Sequence, residues 1–138
     1  MMINERLASA GDCYSRLINN PKMYFQTLTP SMLPEDMAAV YAIFNADTGE
    51  ALYVGRTKRL RRRMYTNHLQ GNKATARLKK YLVEDDDMPE IATYEDAKVW
   101  LKKHCYFQFI PVADARERGH TEGLLGYLLN ASYIDEEH

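Results

Sequence analysis

Apolar and polar positions recur with two different periods along this chain, and each period predicts its own elements. An approximate apolar stripe over residues 3–19 predicts a helix that ends before Pro21. The apolar, β-branched and aromatic run 39–44 predicts a strand. The turn-forming residues 45–49 then lead into a returning strand at 52–54, so the two strands are expected to form a hairpin.

Two basic helices are predicted to follow the hairpin. Thr57 has a side chain suited to capping the first helix, which runs to about Leu69 and stops where Gly71 follows. Asn72 can cap the second helix, over residues 73–83. Apolar residues recur at helical spacing in both, so one side of each helix is expected to pack and the other to carry charge.

The last third of the chain predicts a helix, a strand and a helix. Thr93 and Asp96 have the spacing of a capping box for a helix at 94–104. The aromatic and apolar run 105–111 predicts a strand, and a last helix is expected over 114–130.

The order helix, hairpin, helices, strand, helix predicts an α+β fold with a small, mostly antiparallel three-stranded sheet flanked by helices. Residues 23–25 are suited to a short edge strand. One globular unit is expected, in which residues 1–37 form an N-terminal helical extension packed on a domain made by residues 38–138.

Composition narrows the class of protein. The 138 residues are 46% hydrophobic and 27% charged, which is typical of a globular chain. No run approaches the roughly 20 apolar residues of a membrane span, and the N-terminus lacks the pattern of a secretory signal. Cys13 and Cys105 lack metal-ligand spacing. We therefore expect a cytoplasmic protein, with no membrane contact, whose thiols are reduced.

Charge is distributed very unevenly. The net charge is −1, yet residues 56–80 contain ten basic residues and no acidic one, so this segment carries +10 and the rest of the chain −11. A solvated helix face is the simpler interpretation of such a run, whereas a surface for nucleic-acid phosphates is the interpretation that we favour. The candidate phosphate contacts are Arg56, Arg59, Lys73 and Arg77.

Two tyrosines on the predicted hairpin are the first candidates for chemistry. Tyr41 and Ile43 share one face of their strand because side chains alternate. The sequence does not fix the register of the hairpin, and an odd-length loop is one arrangement that can place Tyr53 across from Tyr41. Both are then either core aromatics with tethered hydroxyls or phenols that handle protons at a site.

Gly55 and Arg63 extend this candidate site. Gly55 lies between a strand and a helix, where a glycine permits close approach of a ligand and the helix N-terminus offers N–H groups to a phosphate. Arg63 follows Leu60 by three residues and so adjoins the buried stripe of the helix. Its forked guanidinium is suited to holding a scissile phosphate and neutralising charge in the transition state.

At these residues the chain resembles the GIY-YIG nuclease family, closely over about residues 37–70 and more loosely over 105–130. The family's leucine, seven residues after its second tyrosine, is Leu60, and its catalytic arginine, ten residues after that tyrosine, is Arg63. The two tripeptide motifs of the family correspond to Ala39-Val40-Tyr41 and Tyr53-Val54-Gly55.

The resemblance implies a DNA endonuclease that uses Mg²⁺ or Mn²⁺. By analogy, Tyr41 would be the general base or its hydrogen-bond partner toward the attacking water, and Tyr53 would position the water or the substrate. Arg63 would stabilise the charge that develops on the phosphate. A late glutamate would bind the divalent ion, and a single carboxylate suffices because Mg²⁺ keeps several waters.

Two glutamates compete for the metal role that the resemblance implies. Glu122 opens an apolar helical register, as the family's metal ligand does, and is the preferred assignment. Glu117 is the runner-up, since the asparagine that often follows this helix in the family corresponds to Asn130, which lies 13 residues after Glu117 and eight after Glu122. Asn130 itself is a candidate substrate contact.

The chain departs from the family pattern at three places. Ala39 replaces the first glycine of the first motif. Asn67 stands where the family often has His or Tyr, and because Asn cannot act as a base it would only orient; His68 beside it is either a substitute or an exposed side chain. Arg56 follows the glycine of the second motif, where it adds a candidate phosphate contact.

Three classes of function remain open at this point. The leading one is an endonuclease that cuts duplex or branched DNA. The first alternative is a non-catalytic nucleic-acid-binding module that kept the fold, and the second is a protein-interaction domain whose basic surface meets an acidic partner. Specificity is expected to come from the structure of the DNA, from a second copy of the chain or from a protein partner.

Overall fold

A buried central strand organises the fold. β2 (Ala39–Asn45) is apolar on both faces and buried along nearly its whole length. It pairs antiparallel with β3 (Ala51–Thr57) on one side and with β4 (Cys105–Pro111) on the other. β1 (Met23–Tyr24) pairs with the far side of β4, which gives a four-stranded sheet in the order β1-β4-β2-β3.

The computed structural model describes residues 2–65 and 77–134. A helical segment at 60–65 follows β3, and its residues 62–65 adopt the wider π-helical geometry. The other helices are, in chain order, α1 (Ile3–Asn19), a 3₁₀ turn (Pro30–Met32), α2 (Arg77–Glu84), α3 (Tyr94–His104) and α4 (Ala115–Leu129).

The predicted α+β class is confirmed, with one difference in the sheet. Three strands were expected in its core, and the structure has four, because the short segment suited to an edge strand does pair with β4 through Met23 opposite Phe107. The predicted bounds of α1, α3 and β4 agree with those observed.

The two faces of the sheet are covered by different helices. The face that carries Tyr41, Ile43 and Tyr53, here called the tyrosine face, packs against α2, α3 and the helical segment 60–65. The face that carries Val40, Ala42 and Phe44, here called the valine face, packs against α1 and α4. Strand alternation therefore sorts the side chains as predicted.

The prediction that Thr57 caps a helix is wrong. Thr57 is the last residue of β3, where it pairs with Ala39, and the helical segment begins three residues later. The Thr57 hydroxyl instead accepts a hydrogen bond from the Arg59 amide at 3.1 Å inside the connecting turn. Strand pairing with β2 continues beyond the apolar run, so it moves the start of the helix toward the C-terminus.

Local capping fixes the ends of the two C-terminal helices. The predicted capping box of α3 is confirmed: the Thr93 side chain accepts from the Asp96 amide, and the Asp96 carboxylate accepts from the Thr93 amide. Asp114 caps α4 by accepting from the Glu117 amide at 2.9 Å. Helix α4 runs on through Gly119 without a break.

Within the described residues, every helix falls short of the length and apolar character that crossing a lipid bilayer requires.

Candidate active site

The phenol of Tyr41 occupies the space that Gly55 leaves open. The two residues face each other in the β2–β3 ladder, and Tyr41 is 1% exposed. A Cβ built on Gly55 would lie 2.5 Å from the phenol oxygen and 2.6 Å from Cζ. The space left by the missing side chain of Gly55 is therefore filled by the Tyr41 phenol.

Tyr53 lies diagonally from Tyr41 across the hairpin and not directly opposite it. Tyr53 pairs with Ile43, because an irregularity between Ile43 and Phe44 shifts the register of the hairpin. The two tyrosines still share the tyrosine face, and their ring centroids are 6.4 Å apart. Both are buried among core residues, so the hairpin holds the phenols as a fixed pair.

A groove of about 500 Å³ runs along the outer edge of β3. It is lined by Tyr53 and Val54, which point to opposite faces of the sheet, and by Glu122 and Tyr127 from α4. β3 is the last strand of the sheet, so a groove bounded by both of its faces lies at the sheet edge. The groove brings Tyr53 and Glu122 into one site from opposite sides of the sheet.

Glu122 lies at the wall of this groove and contacts Arg56. The Nε atom of Arg56 is 3.8 Å from Oε1 of Glu122, and the two side chains are 53% and 33% exposed. Arg56 belongs to β3 and stands opposite Val40, so it points to the valine face, which α4 covers. The basic residue expected to contact phosphate is thus placed beside the carboxylate expected to bind metal.

Glu117 lies on a different side of α4 from Glu122. It lines a second groove, of about 860 Å³, between α1 and α4. The two glutamates are five positions apart, which corresponds to a rotation of about 140° around the helix, so only one of them can face β3. Glu122, and not Glu117, lines the groove that Tyr53 also lines.

Asn130 ends α4 and also lines the edge groove. Its backbone is left-handed, with φ 50° and ψ 52°, which Asn tolerates better than most residues. Its amide donates to the carbonyls of Gly126 and Tyr127. The predicted substrate contact is therefore also the residue that stops the helix.

Arg63 sits at the base of the tyrosine face. Its neighbours on the helical segment, Leu60 and Met64, are fully buried in the same cluster as Tyr41 and Tyr53. Its amide donates to the Arg59 carbonyl at 3.1 Å, and its Nε atom is buried. The packing of Leu60 and Met64 thus fixes the backbone of Arg63 beside the core cluster that contains Tyr41 and Tyr53.

The basic residues of the predicted phosphate surface differ in exposure in the structure. Arg59 and Arg77 are exposed. Arg61 instead donates to the Leu33 carbonyl at 2.8 Å. Lys79 is only 3% exposed, and burial, followed by the nearby charge of Lys98, lowers its pKa. Lys79 is thus removed from the predicted phosphate surface.

Three predicted site residues lie outside the described ranges, so the structure gives no position for them. They are Asn67, His68 and Lys73. The predicted cap Asn72 lies in the same interval.

Tyr133 and Tyr81 belong to the neighbourhood of the site, and the sequence did not single them out. Tyr81 lies beside Tyr53, with ring centroids 6.3 Å apart, and Tyr133 stacks on Tyr81 at 6.2 Å. Tyr133 also lines the edge groove. Tyr81 shares the helical spacing of the apolar residues in α2, and this spacing indicates that it packs on the sheet. For Tyr133 there is no such pattern, because nothing in the local sequence indicates that the chain after α4 returns to β3.

The sheet in the order β1-β4-β2-β3, with helices packed on both of its faces, is an α+β fold. Residues 37–117 match the GIY-YIG catalytic domain, and since this match spans more than half of the chain, the protein belongs to the GIY-YIG family. That family consists generally of endonucleases, whose substrate is nucleic acid. Comparison with curated proteins and with solved structures returns no match. Glu122 and Asn130 lie beyond the matched residues.

Proposed function

We propose that the protein is a metal-dependent DNA endonuclease that hydrolyses phosphodiester bonds at the edge of β3. The observation that carries this proposal is the shared groove, which Tyr53 and Glu122 both line although they belong to opposite faces of the sheet. Membership of the GIY-YIG family supports it. A module that only bound nucleic acid would not need a phenol and a carboxylate at one point.

Each residue then has a chemical task. Tyr53 reaches the groove and positions the attacking water or the substrate. Tyr41, buried behind it, acts as the general base toward that water or as the hydrogen-bond partner of the base. Arg63 stabilises the charge that develops on the phosphate, as a guanidinium fork can. The exposed Arg59 and Arg77 contact the DNA backbone, and Asn130 contacts the substrate at the end of the groove.

The donor chemistry at Glu122 fits Mg²⁺ or Mn²⁺. Its carboxylate is one-third exposed, so a hydrated ion can reach it. Among residues 2–65 and 77–134, no three His, Cys, Asp or Glu side chains cluster as a ready-made cage. Mg²⁺ does not require one, because it commonly takes one or two carboxylates, substrate phosphates and waters. When bound, the ion supplies Lewis-acid polarisation of the phosphate.

One observation favours a second candidate, a non-catalytic nucleic-acid-binding module. The carboxylate that would hold the ion is already in contact with Arg56. If that contact were permanent, the groove would bind nucleic acid without cutting it.

Metal-dependent cleavage separates the two candidates. Purified protein should nick or cut plasmid, Holliday-type or flap DNA when Mg²⁺ or Mn²⁺ is added, and should leave all three intact in EDTA. Glu122→Gln and Arg63→Ala should each lower the cleavage rate by about a hundredfold or more, since each removes charge stabilisation in the transition state. Gel-based cleavage assays measure this.

Glu117→Gln is the matched control for Glu122→Gln, since it changes the other carboxylate of α4 by the same atoms. It should cleave at the wild-type rate, and circular dichroism should show all variants folded. Binding of DNA without cleavage of any substrate would refute the enzyme proposal, and a loss of cleavage in Glu117→Gln alone would reverse the assignment of the metal ligand.

A further inference from the structure

Arg56 is held over the backbone of α4 by a glycine. A Cβ built on Gly119 would collide with Nη1 of Arg56, so the guanidinium occupies the place where a side chain would otherwise stand. A Cβ built on Gly123 or Gly126 of the same helix meets nothing within 4 Å. Gly119 therefore differs from the other glycines of α4 in being fitted to Arg56.

The same guanidinium reaches Glu122, which lies three residues after Gly119 on the same side of α4. The 3.8 Å separation between Arg56 Nε and Glu122 Oε1 makes this an ion pair across the edge of the sheet. A positive charge at that distance lowers the affinity of the carboxylate for a second cation. Arg56 is also half exposed, so its guanidinium can leave for a stronger partner such as a phosphate.

We propose that Arg56 is a positioning residue that holds the Glu122 carboxylate in the DNA-free protein and couples divalent-cation binding to the arrival of a DNA phosphate. The inference rests on the proposed function. A phosphate that engages Arg56 draws this positive charge away from Glu122, so the cation binds the DNA complex more tightly than the free protein. By linkage, the cation must raise the affinity for DNA by the same factor.

The expected size of the effect follows from the exposure of the pair. An exposed ion pair contributes only a small interaction free energy. Removing the Arg56–Glu122 pair should therefore tighten cation binding to the DNA-free protein by only about two- to fivefold. The DNA-bound protein should show no such gain, because there Arg56 has already left Glu122.

Titration of Mn²⁺ into DNA-free protein, followed by the electron paramagnetic resonance signal of free Mn²⁺, tests the proposal. Arg56→Gln, which removes the charge, should bind Mn²⁺ about two- to fivefold more tightly than wild type. Gly119→Ala should do the same, because the new methyl group displaces the guanidinium while leaving its charge in the protein. Glu122→Gln should lose the site.

Two control variants isolate the contact itself. Lys58→Gln removes one positive charge from the exposed turn after β3 and should leave Mn²⁺ affinity unchanged. Gly11→Ala adds the same methyl group to another helix, where a Cβ meets nothing within 4 Å, and should also leave it unchanged. Tightening in Lys58→Gln equal to that in Arg56→Gln would show a general charge effect and overturn the proposal.

A second measurement tests the coupling to DNA. The ratio of duplex affinity in Ca²⁺ to that in EDTA should be about two- to fivefold larger for wild type than for Arg56→Gln. Equal Mn²⁺ affinities in wild type, Arg56→Gln and Gly119→Ala, or equal ratios, would overturn the role of Arg56 and leave the proposed function intact. Absence of any Mn²⁺ site that depends on Glu122 would overturn both.

Discussion

At the scale of single residues, the motif Tyr53-Val54-Gly55 is required for packing as well as for the proposed chemistry. A side chain larger than that of glycine does not fit at position 55, because its Cβ would lie 2.5 Å from the phenol oxygen of Tyr41. Phenol and glycine are thus matched across two strands, and a change at one moves the other. The same logic joins Gly119 to Arg56 on the opposite face of the sheet.

Gly55→Ala should therefore damage both stability and activity. The methyl group must push the buried Tyr41 ring out of its place, and overpacking of this kind costs about 1–3 kcal/mol of unfolding free energy. Urea denaturation measures the loss, and the cleavage rate should fall because the phenol moves. Gly11→Ala, with open space around its Cβ, is the control; equal stability of the two variants would contradict the packing argument.

At the scale of elements, the segment that follows α4, residues 131–134, ties the edge of β3 to α2. The amides of Ser132 and Tyr133 donate to the carbonyls of Ala51 and Leu52, at 3.1 and 2.8 Å. The Tyr133 hydroxyl donates to Asp85 at 2.6 Å, just beyond the end of α2. This segment covers the exposed strand edge that would otherwise be free to pair, and it forms one end of the groove.

Tyr133→Phe should lower the free energy of unfolding by about 0.5–1.5 kcal/mol at neutral pH, toward the lower value because the hydrogen bond to Asp85 is only partly buried. The ring keeps its stacking on Tyr81, so the hydrogen bond is the part removed. Tyr127→Phe, which removes the hydroxyl of an 84% exposed tyrosine, should change nothing. Urea denaturation at pH 7 measures both.

The difference in unfolding free energy between wild type and Tyr133→Phe should depend on pH in a definite direction. The hydrogen bond from Tyr133, followed by one from the Asp87 amide, lowers the pKa of Asp85, so its contribution is present above the ordinary Asp pKa and is lost as pH falls. Burial, followed by the bond to Asp85, raises the pKa of Tyr133, so its contribution is lost only in strong alkali. The difference between wild type and Tyr133→Phe should be constant from about pH 5 to 9 and shrink below about pH 4.

At the scale of the whole molecule, the net charge is slightly negative although one segment of the chain is strongly positive. The chain carries −1 overall, while residues 56–80 carry ten of its basic residues. Within the described part of that interval, six of these are exposed, whereas Lys79 is buried and Arg61 and Arg63 are half-buried. The exposed ones are Arg56, Lys58, Arg59, Arg62, Arg77 and Lys80.

If these six contact phosphates, DNA affinity in EDTA should fall about a thousandfold between roughly 50 and 200 mM salt. The reason is that each neutralised phosphate releases condensed counterions. Fluorescence anisotropy with a labelled duplex measures the slope of log affinity against log salt. Arg59→Gln should reduce the slope by about one, and a slope near zero would contradict a phosphate-binding surface.

The sequence by itself determined the element order, the capping box of α3 and the sorting of side chains between the two faces. These follow from local physics: strand alternation, helical periodicity and hydrogen bonds between residues three apart in the chain. The pair Tyr41 and Tyr53, and the arginine ten residues after the second tyrosine, were identifiable for the same reason, since one hairpin and one following helical segment position all three.

Only the tertiary structure decided how the hairpin is registered and which residues meet at its edge. The irregularity after Ile43 sets Tyr53 opposite that residue and leaves Gly55 opposite Tyr41. The rotation of α4 about its axis, fixed by packing of Leu125 on the valine face, turns Glu122 to the groove along β3 and Glu117 to the groove beside α1. The contacts of Arg56 with Glu122 and of Tyr133 with Asp85 join residues 66 and 48 positions apart. Such contacts depend on the packing of whole elements, and no local pattern in the chain specifies them.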